Sequence, residues 1–534
     1  MRRLGGSLLL GLSAATFFVS PAAEQVLRLT PARLYFVRIA PDRIDYAVLL
    51  GLIVLIGLAA GLAHWASFDR SPLWRRVLTA PFAFLCVMGI AHLIHLHLSR
   101  YPPLWNVVAR RWTGLGVPAI DGWFVVAAAC GMAVVGAFGG WPRGWMLAKP
   151  ILCGGAAVIW LATATAWLHP AGPLVDVPSS IAAKLAPAHD IGPGTPVVWL
   201  ILDEWDYDLT FKRQDGKVFP EFERLRNQSV FLENVRAAGN ITLVAVPALL
   251  MGRPLREYRG ASAAGARFVS AGTTESFPGP RTIFDTAAQF GYRSHIVGWY
   301  HPYCRIFGAQ TASCWWDDLM LPALRPGGSV PERAAAFLRE SIELEVLPIA
   351  GPANNIVKQM ARIKPMMEQA STAASHGGRS FSFLHLPVPH GPFFSLDSQG
   401  HMVPLNTDVR GYQSGLEAAD RALGTLRQSL EQTGVWEQAL VIVTSDHPYR
   451  YQYAGGYGNG HIPMMIKFPH QATAVVSSHP FQAVETKNLI EDFMQGTLAT
   501  PERALAWLDR SGPAAGARTL APQQPVAMTN WKVR

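Results

Sequence analysis

Val441-Ile442-Val443-Thr444-Ser445-Asp446-His447-Pro448-Tyr449-Arg450 is the stretch on which the reading of this chain turns, because an apolar β-type run stops at an adjacent carboxylate and imidazole. One carboxylate and one imidazole at the carboxyl end of a strand make good ligands for a divalent metal. A second run, Val197-Val198-Trp199-Leu200-Ile201-Leu202, ends in Asp203-Glu204. Between the two in sequence lies a hydroxyl residue before an apolar, helix-like segment, Thr242 to Gly252-Arg253. Together the three pieces point to a threonine nucleophile activated by a metal.

The chain has 534 residues, too many for one ordinary domain unless membrane segments absorb part of them. Apolar runs of bilayer length occur at Leu4–Val19, Tyr46–Phe68, Val77–Leu98, Trp123–Trp141 and Pro150–Leu168. The expectation is therefore an N-terminal bundle of four or five transmembrane helices over 1–170. A Pro/Ala/Gly-rich juxtamembrane linker follows over 171–196, a catalytic domain over 197–510, and a Pro/Ala/Gln-rich, poorly ordered tail over 511–534. Residues 1–170 hold 14 Lys and Arg against 5 Asp and Glu, which accounts for the whole formal net charge of +9. A basic excess confined to membrane loops suits anionic lipid headgroups and argues against a nucleic-acid partner. Basic residues divide evenly between the two sets of loops, so the positive-inside rule does not orient the chain. The first run also reads as a cleavable signal peptide ending near Ser20-Pro21-Ala22-Ala23. Both readings place the catalytic domain outside a plasma membrane.

Beyond the linker, short apolar runs alternate with helical patterns. Helices are expected over Phe219–Gln228, Thr282–Phe290 and Thr407–Thr433, and strands over Val197–Leu202, Ser294–Trp299, Phe381–Leu386 and Ala439–Thr444. This alternation predicts an α/β/α domain built on a mostly parallel sheet, with ligands gathered beyond the carboxyl ends of the strands. Of the five cysteines, Cys86, Cys130 and Cys153 fall in apolar runs. Cys304 and Cys314 stand alone in the catalytic part, and in an oxidising compartment they would staple their loop; two unpaired buried thiols are the alternative.

A threonine hydroxyl is a weak nucleophile at neutral pH, and by itself Thr242 reads as a helix cap. The order acid pair, threonine, Asp446-His447 resembles the alkaline phosphatase and sulfatase superfamily, in particular its membrane-anchored phosphoethanolamine and phosphoglycerol transferases. Thr242 stands ten residues before Gly252 in Leu249-Leu250-Met251-Gly252-Arg253, the distance from the sulfatase nucleophile to the glycine of that family's Leu-Leu-Thr-Gly-Arg turn. Pro247 follows Thr242 by five residues, as a proline tends to do in the transferases. His390-Gly391-Pro392-Phe393 is similar to the family's phosphate-touching His-x-Pro-Phe element, and His461-Ile462-Pro463 to its late histidine.

The resemblance covers about residues 195–500. It implies a divalent cation on Asp203, Glu204 or both, on Thr242, and on Asp446 and His447. His390 and His461 would orient phosphate or carry protons. Mixed Asp, Glu and His donors favour zinc, with manganese as the alternative. The implied activity transfers a phospholipid headgroup through a phosphothreonine intermediate to an envelope glycan or lipid acceptor. A membrane-anchored phosphodiesterase or phosphatase using water, or a non-catalytic envelope domain, are the competing readings.

Three departures stand out. Position 242 is threonine and position 244 is valine, which excludes the formylglycine route of the sulfatases. Pro448 replaces the glycine usual after Asp-His, and Leu202-Asp203-Glu204-Trp205 replaces the transferases' Gly-Glu-Thr. The run Ser294 to His301 is a further candidate substrate-contacting loop with no motif behind it, and His92, His95 and His97 read as snorkelling interfacial histidines.

Overall fold

The computed structural model describes residues 2–27, 31–66, 71, 142–170, 174, 194–213, 216–270, 272–317, 328–345, 350–391, 394–396, 402–404, 409–449 and 460–510. The expected spans Val77–Leu98 and Trp123–Trp141, histidines 92, 95 and 97, most of the linker and the C-terminal tail lie outside these residues. From the N-terminus come helices α1 (Arg2–Leu27), α2 (Pro31–Leu34), α3 (Arg43–Ala66) and α4 (Pro142–Leu168). Next follow β1 (Val197–Leu202), α5 (Tyr207–Phe211), α6 (Pro220–Arg226), β2 (Val230–Arg236) and α7 (Thr242–Met251). A three-stranded antiparallel sheet is made by β3 (Glu257–Ser262), β4 (Gly265–Ser270) and β5 (Thr273–Phe277). The chain continues through α8 (Ile283–Gln289), β6 (Arg293–Trp299), α9 (Tyr303–Phe307), β7 (Ser313–Asp317), α10 (Val330–Glu345), α11 (Ala350–Ala374) and β8 (Ser380–Leu386). It closes with β9 (Phe394–Leu396), β10 (Met402–Pro404), α12 (Val409–Gln432), α13 (Val435–Gln438), β11 (Leu440–Ser445), β12 (His461–Lys467), β13 (Val475–Ser477), β14 (Phe481–Gln482), α14 (Thr486–Met494) and α15 (Pro501–Arg510).

The chain divides into two compact units. One comprises 1–29, 39–174 and 321–354; the other comprises 30–38, 175–320 and 355–534. The larger unit is built on a sheet of order β13-β2-β12-β11-β1-β8-β6-β7, with β14 also paired to β2. Every pairing is parallel except those of β12, which runs against both β11 and β2. The central strand β1 is apolar and buried along its whole length because both faces are covered. Val197, Trp199 and Ile201 of β1 enter one core, with Leu249, Phe284 and Phe383. Val198, Leu200 and Leu202 enter the other, with Phe222, Leu423 and Leu426. The α/β domain with a mostly parallel sheet is thus as the sequence leads one to expect, and the long helix and the strands fall within a residue or two of their expected bounds.

The expected bundle of four or five membrane helices is corrected. Among the described residues two helices are long and apolar enough to cross a bilayer, the stretch Arg3–Ser20 within α1 and α3 itself. The expectation counted apolar runs. Of the five runs, Val77–Leu98 and Trp123–Trp141 lie outside the described residues, and Pro150–Leu168 falls in the C-terminal part of α4, which is not among those two helices.

In the smaller unit α1 and α3 pack at glycines. A Cβ on Gly11 would stand 2.2 Å from the Gly57 carbonyl oxygen and 2.5 Å from the Gly61 nitrogen, and one on Gly57 or Gly61 would stand 2.7 Å from the α1 backbone. Such close approach of backbones is the means by which helices associate where solvent offers no hydrophobic drive. His64 Nδ1 meets Ser7 Oγ at 2.9 Å across the same contact. The amphipathic α10 adds Phe337 to this cluster, and Arg333 on its first turn reaches Asp42 Oδ1 at 2.9 Å and Asp45 Oδ1 at 2.6 Å.

Gly57→Leu and Gly61→Leu are each expected to destabilise the α1–α3 pair by about 1–3 kcal/mol through overpacking. Leu55→Ala, at a position 69% exposed, is expected to leave it unchanged. The thermal midpoint of the full chain in detergent micelles, with cysteine cross-linking between α1 and α3, measures the difference.

Candidate metal centre and active site

Three neighbouring strands end together. Leu202 of β1 is in register with Ser445 of β11 on one side and with Leu386 of β8 on the other. The residues that follow are consequently carried to one rim: Asp203 and Glu204 from β1, Asp446 and His447 from β11. Short links lock the arrangement. Asp203 N–H donates to Leu386 O at 3.1 Å, Trp205 N–H to Ser445 Oγ at 2.8 Å, and Glu204 N–H to Asp446 Oδ1 at 3.2 Å.

Thr242 is the first residue of α7, which starts from an extended Ile241 and ends at Gly252 in the left-handed conformation, φ 66°. Its hydroxyl is buried and donates to Asp203 Oδ2 at 3.4 Å, and it lies 3.2 Å from His447 Nε2. His447 Nδ1 sits 3.0 Å from Pro448 O, an acceptor only, so Nδ1 carries the proton. The lone pair of Nε2 therefore faces Asp446 Oδ2 at 3.4 Å and Asp203 Oδ1 at 3.8 Å.

Asp203, Asp446 and His447 are all fully buried, and one donor atom from each lies within 4.8 Å of the others. Asp446 spends Oδ1 on the amides of Glu204 and His447, while its buried Oδ2 receives no hydrogen bond. Two carboxylates and a bare imidazole nitrogen converging in a dry pocket repel one another unless a cation stands among them. The donor set fits a divalent ion.

The two adjacent acids part company. Glu204 has φ 66°, which turns its buried carboxylate away to 3.9 Å from His390 Nε2. Asp203 alone joins the three-residue group. His390 is partly exposed at the rim; its Nδ1 hydrogen-bonds Gly391 O, and its ring lies edge-on to Trp299, 5.1 Å between centroids. His461 makes its described contacts elsewhere. Its Nε2 donates to Glu233 O at 2.7 Å, its Nδ1 faces Asp208 at 3.6 Å, and its ring stacks on Tyr207 at 4.0 Å.

Two histidines that motif reading passed over stand close in. His385, fully buried on β8, places Nε2 3.5 Å from Asp203 Oδ2 and Nδ1 2.8 Å from the Tyr303 hydroxyl. Burial pushes it down to about 4, so its ring is neutral. No local signal marks it, a single histidine in a strand that also carries Ser380 and Ser382. His301, also fully buried and held down to about 3 by desolvation, meets the Thr242 carbonyl oxygen at 3.1 Å through Nε2. It lies in the Ser294–His301 run named above. The turn bearing it is stapled by the Cys304–Cys314 disulfide, the pairing expected from the sequence.

Asp203→Asn, Asp446→Asn and His447→Ala are each expected to weaken zinc binding by at least about tenfold. Glu204→Gln and His461→Ala are expected to bind the full complement. Elemental analysis of the purified full chain after zinc loading and dialysis checks this.

Residues 196–499, more than half of the chain, match the family described as Sulfatase. No curated protein matches the sequence. Among solved structures, a protein in the alkaline phosphatase superfamily from Vibrio parahaemolyticus is similar at 15% identity and a TM-score of 0.38, over 57% of this chain and 67% of that one. The lipoteichoic acid synthase LtaP from Listeria monocytogenes gives 13% identity and a TM-score of 0.36, over 57% and 72%. The PsFucS1 sulfatase from Pseudoalteromonas sp. gives 13% and 0.37, over 57% and 68%. With the sequence match spanning the whole sheet and a buried candidate metal-ligand triad on its rim, the chain belongs to the sulfatase family and carries the site of a hydrolase- or transferase-like enzyme.

Proposed function

We propose that this chain is a membrane-anchored, metal-dependent phosphoesterase in which Thr242 attacks phosphorus and water completes the turnover. The observation that carries the reading is the position of the Thr242 hydroxyl, within 3.4 Å of both Asp203 and His447, with all three residues buried. A phosphate ester suits the residue at 242 better than a sulfate ester, since threonine is not a precursor of formylglycine.

Asp203, Asp446 and His447 would hold the cation, zinc by donor type with manganese as the alternative, and its charge lowers the pKa of the nucleophilic hydroxyl and offsets that of the phosphate. Thr242 surrenders its proton along the hydrogen bond to Asp203 Oδ2 as its Oγ1 bonds to phosphorus and the ester oxygen leaves. Water then attacks the phosphothreonine, breaks the Oγ1–phosphorus bond and restores the hydroxyl. The N-terminus of α7 favours the anionic group bound there. At the rim, His390 would deliver a proton to the leaving oxygen, and Glu204, 3.9 Å from its Nε2, would orient its ring.

Transfer of a phospholipid headgroup, phosphoethanolamine or phosphoglycerol, to an envelope glycan or lipid acceptor is the second reading. The two apolar helices favour it, because they would keep the active site beside a lipid donor. Both readings place the catalytic unit on the periplasmic or extracellular side of a bacterial-type inner membrane, and the Cys304–Cys314 disulfide supports an oxidising compartment.

The metal-loaded full chain is expected to hydrolyse bis-p-nitrophenyl phosphate, with Thr242→Ala slower by at least about 10³-fold. Incubation with phosphatidylethanolamine or phosphatidylglycerol and intact-mass analysis separates the readings. Headgroup release without added glycan marks hydrolysis, and release that requires the glycan marks transfer. A Thr242→Ala chain as fast as the parent would overturn both.

A further inference from the structure

Residues 30–38 lie in sequence between the two apolar helices, yet they fold as part of the catalytic unit. Tyr35 is fully buried in that unit's core, with Phe36 beside it. Arg305 fastens the segment by donating to Leu34 O at 2.9 Å and Val37 O at 2.5 Å, and Arg38 returns a hydrogen bond to Trp316 O at 3.3 Å. The Phe36 ring lies edge-on to Tyr300 at 5.3 Å. None of these contacts involves an atom of the metal-ligand triad.

The Tyr35 hydroxyl, however, meets His301 Nδ1 at 2.7 Å, and His301 Nε2 meets the carbonyl oxygen of Thr242 at 3.1 Å. The direction of this chain is fixed by elementary donor counting. A carbonyl oxygen only accepts, so Nε2 bears the ring proton; the neutral ring then offers Nδ1 only as an acceptor, so Tyr35 donates. The phenol holds the tautomer, and the tautomer holds the peptide from which the Thr242 side chain projects. We infer that Tyr35 is a positioning residue for the nucleophile: the segment joining the two apolar helices sets the register of the first turn of α7 through His301.

The inference rests on Thr242 as the attacking residue. Its consequence is that loss of one hydroxyl far from the metal group slows chemistry without weakening substrate binding. Tyr35→Phe deletes that hydroxyl and leaves the ring packed. His301→Gln keeps an N–H donor for the Thr242 carbonyl but no longer needs a phenol.

The test uses the full chain in dodecyl maltoside with zinc, bis-p-nitrophenyl phosphate as the probe, and amide hydrogen exchange of the peptides covering 238–251. Tyr35→Phe is expected to speed exchange in those peptides about fivefold, the loss of one net hydrogen bond. It is also expected to lower kcat about tenfold with KM within about twofold. In the His301→Gln background the same substitution is expected to add nothing. Unchanged exchange in Tyr35→Phe overturns the inference, and so does an equal effect of Tyr35→Phe with glutamine at 301. If Thr242→Ala retains full turnover, the nucleophile assignment fails, and the exchange data still decide whether Tyr35 fixes the α7 turn.

Discussion

Two aspartates that face one imidazole nitrogen inside a pocket without solvent access are the constraint on which the rest of the molecule depends. Like charges at these separations in a medium of low dielectric cost many times what they would in water. The sheet nevertheless forces them together, since β11 and β1 are parallel and in register up to Leu202 and Ser445. Parallel neighbours deliver both carboxylates at one edge. An antiparallel pair would have placed the two strand ends at opposite edges; β12, the reversed strand, meets this edge by its amino end, and its His461 is not a member of the triad. The energy of assembling this group is met by the apolar strands behind it, where Val197 through Leu202 and Leu440 through Val443 are buried on both faces.

Two histidines beside the triad are neutral and fixed. His385 and His301 are both kept uncharged by burial, and each takes a hydroxyl on Nδ1, from Tyr303 and Tyr35 respectively. Neutral imidazoles beside a cation site neither compete with the ion nor repel it. Both tyrosines are themselves fully buried, which raises their pKa and keeps them donors at any working pH. The turn carrying His301, Tyr303 and Arg305 is in this sense a frame for the nucleophile's helix, and the disulfide at Cys304 holds the frame to the edge strand β7.

Much of this was legible in the chain. Strands ending in Asp203-Glu204 and Asp446-His447 announce themselves because a parallel strand buried on both faces must be uniformly apolar, so a charge at its end is conspicuous. The spacing of Thr242 to Gly252 was readable because the glycine is required: its φ of 66° suits no other residue well, and a Cβ there would press on Lys487 at 2.7 Å. The membrane region was misjudged because the count of four or five rested on apolar runs alone, whereas two helices among the described residues are long and apolar enough to cross a bilayer. His385 and Tyr35 escaped because their significance is tertiary. A histidine within a strand and a tyrosine before an apolar helix have no local signature, and Tyr35 meets His301 across 266 positions of sequence. His461 stands in family order too, and its described contacts are with Glu233 O, Asp208 and Tyr207.

The division of labour between Asp203 and Glu204 turns on backbone strain. Adjacent side chains on an extended strand point to opposite faces, so two consecutive acids cannot both enter one pocket without a bend. The structure bends at Glu204, whose φ of 66° costs about 1–3 kcal/mol in a residue other than glycine. Three interactions hold it there: Glu204 N–H on Asp446 Oδ1, the Tyr412 hydroxyl on Glu204 O at 2.7 Å, and the same hydroxyl accepting Asp206 N–H at 3.0 Å. Tyr300, one residue before His301, is strained in the same sense with φ 73°, and its N–H is tied to Asp317 O at 3.3 Å. Left-handed backbone thus occurs at Glu204, beside a triad carboxylate, and at Tyr300, beside the histidine that holds the Thr242 peptide. The strain is what lets one strand end send two carboxylates apart, that of Asp203 into the triad and that of Glu204 toward His390 Nε2. A glycine at 204 would relieve the strain and lose the carboxylate that faces His390.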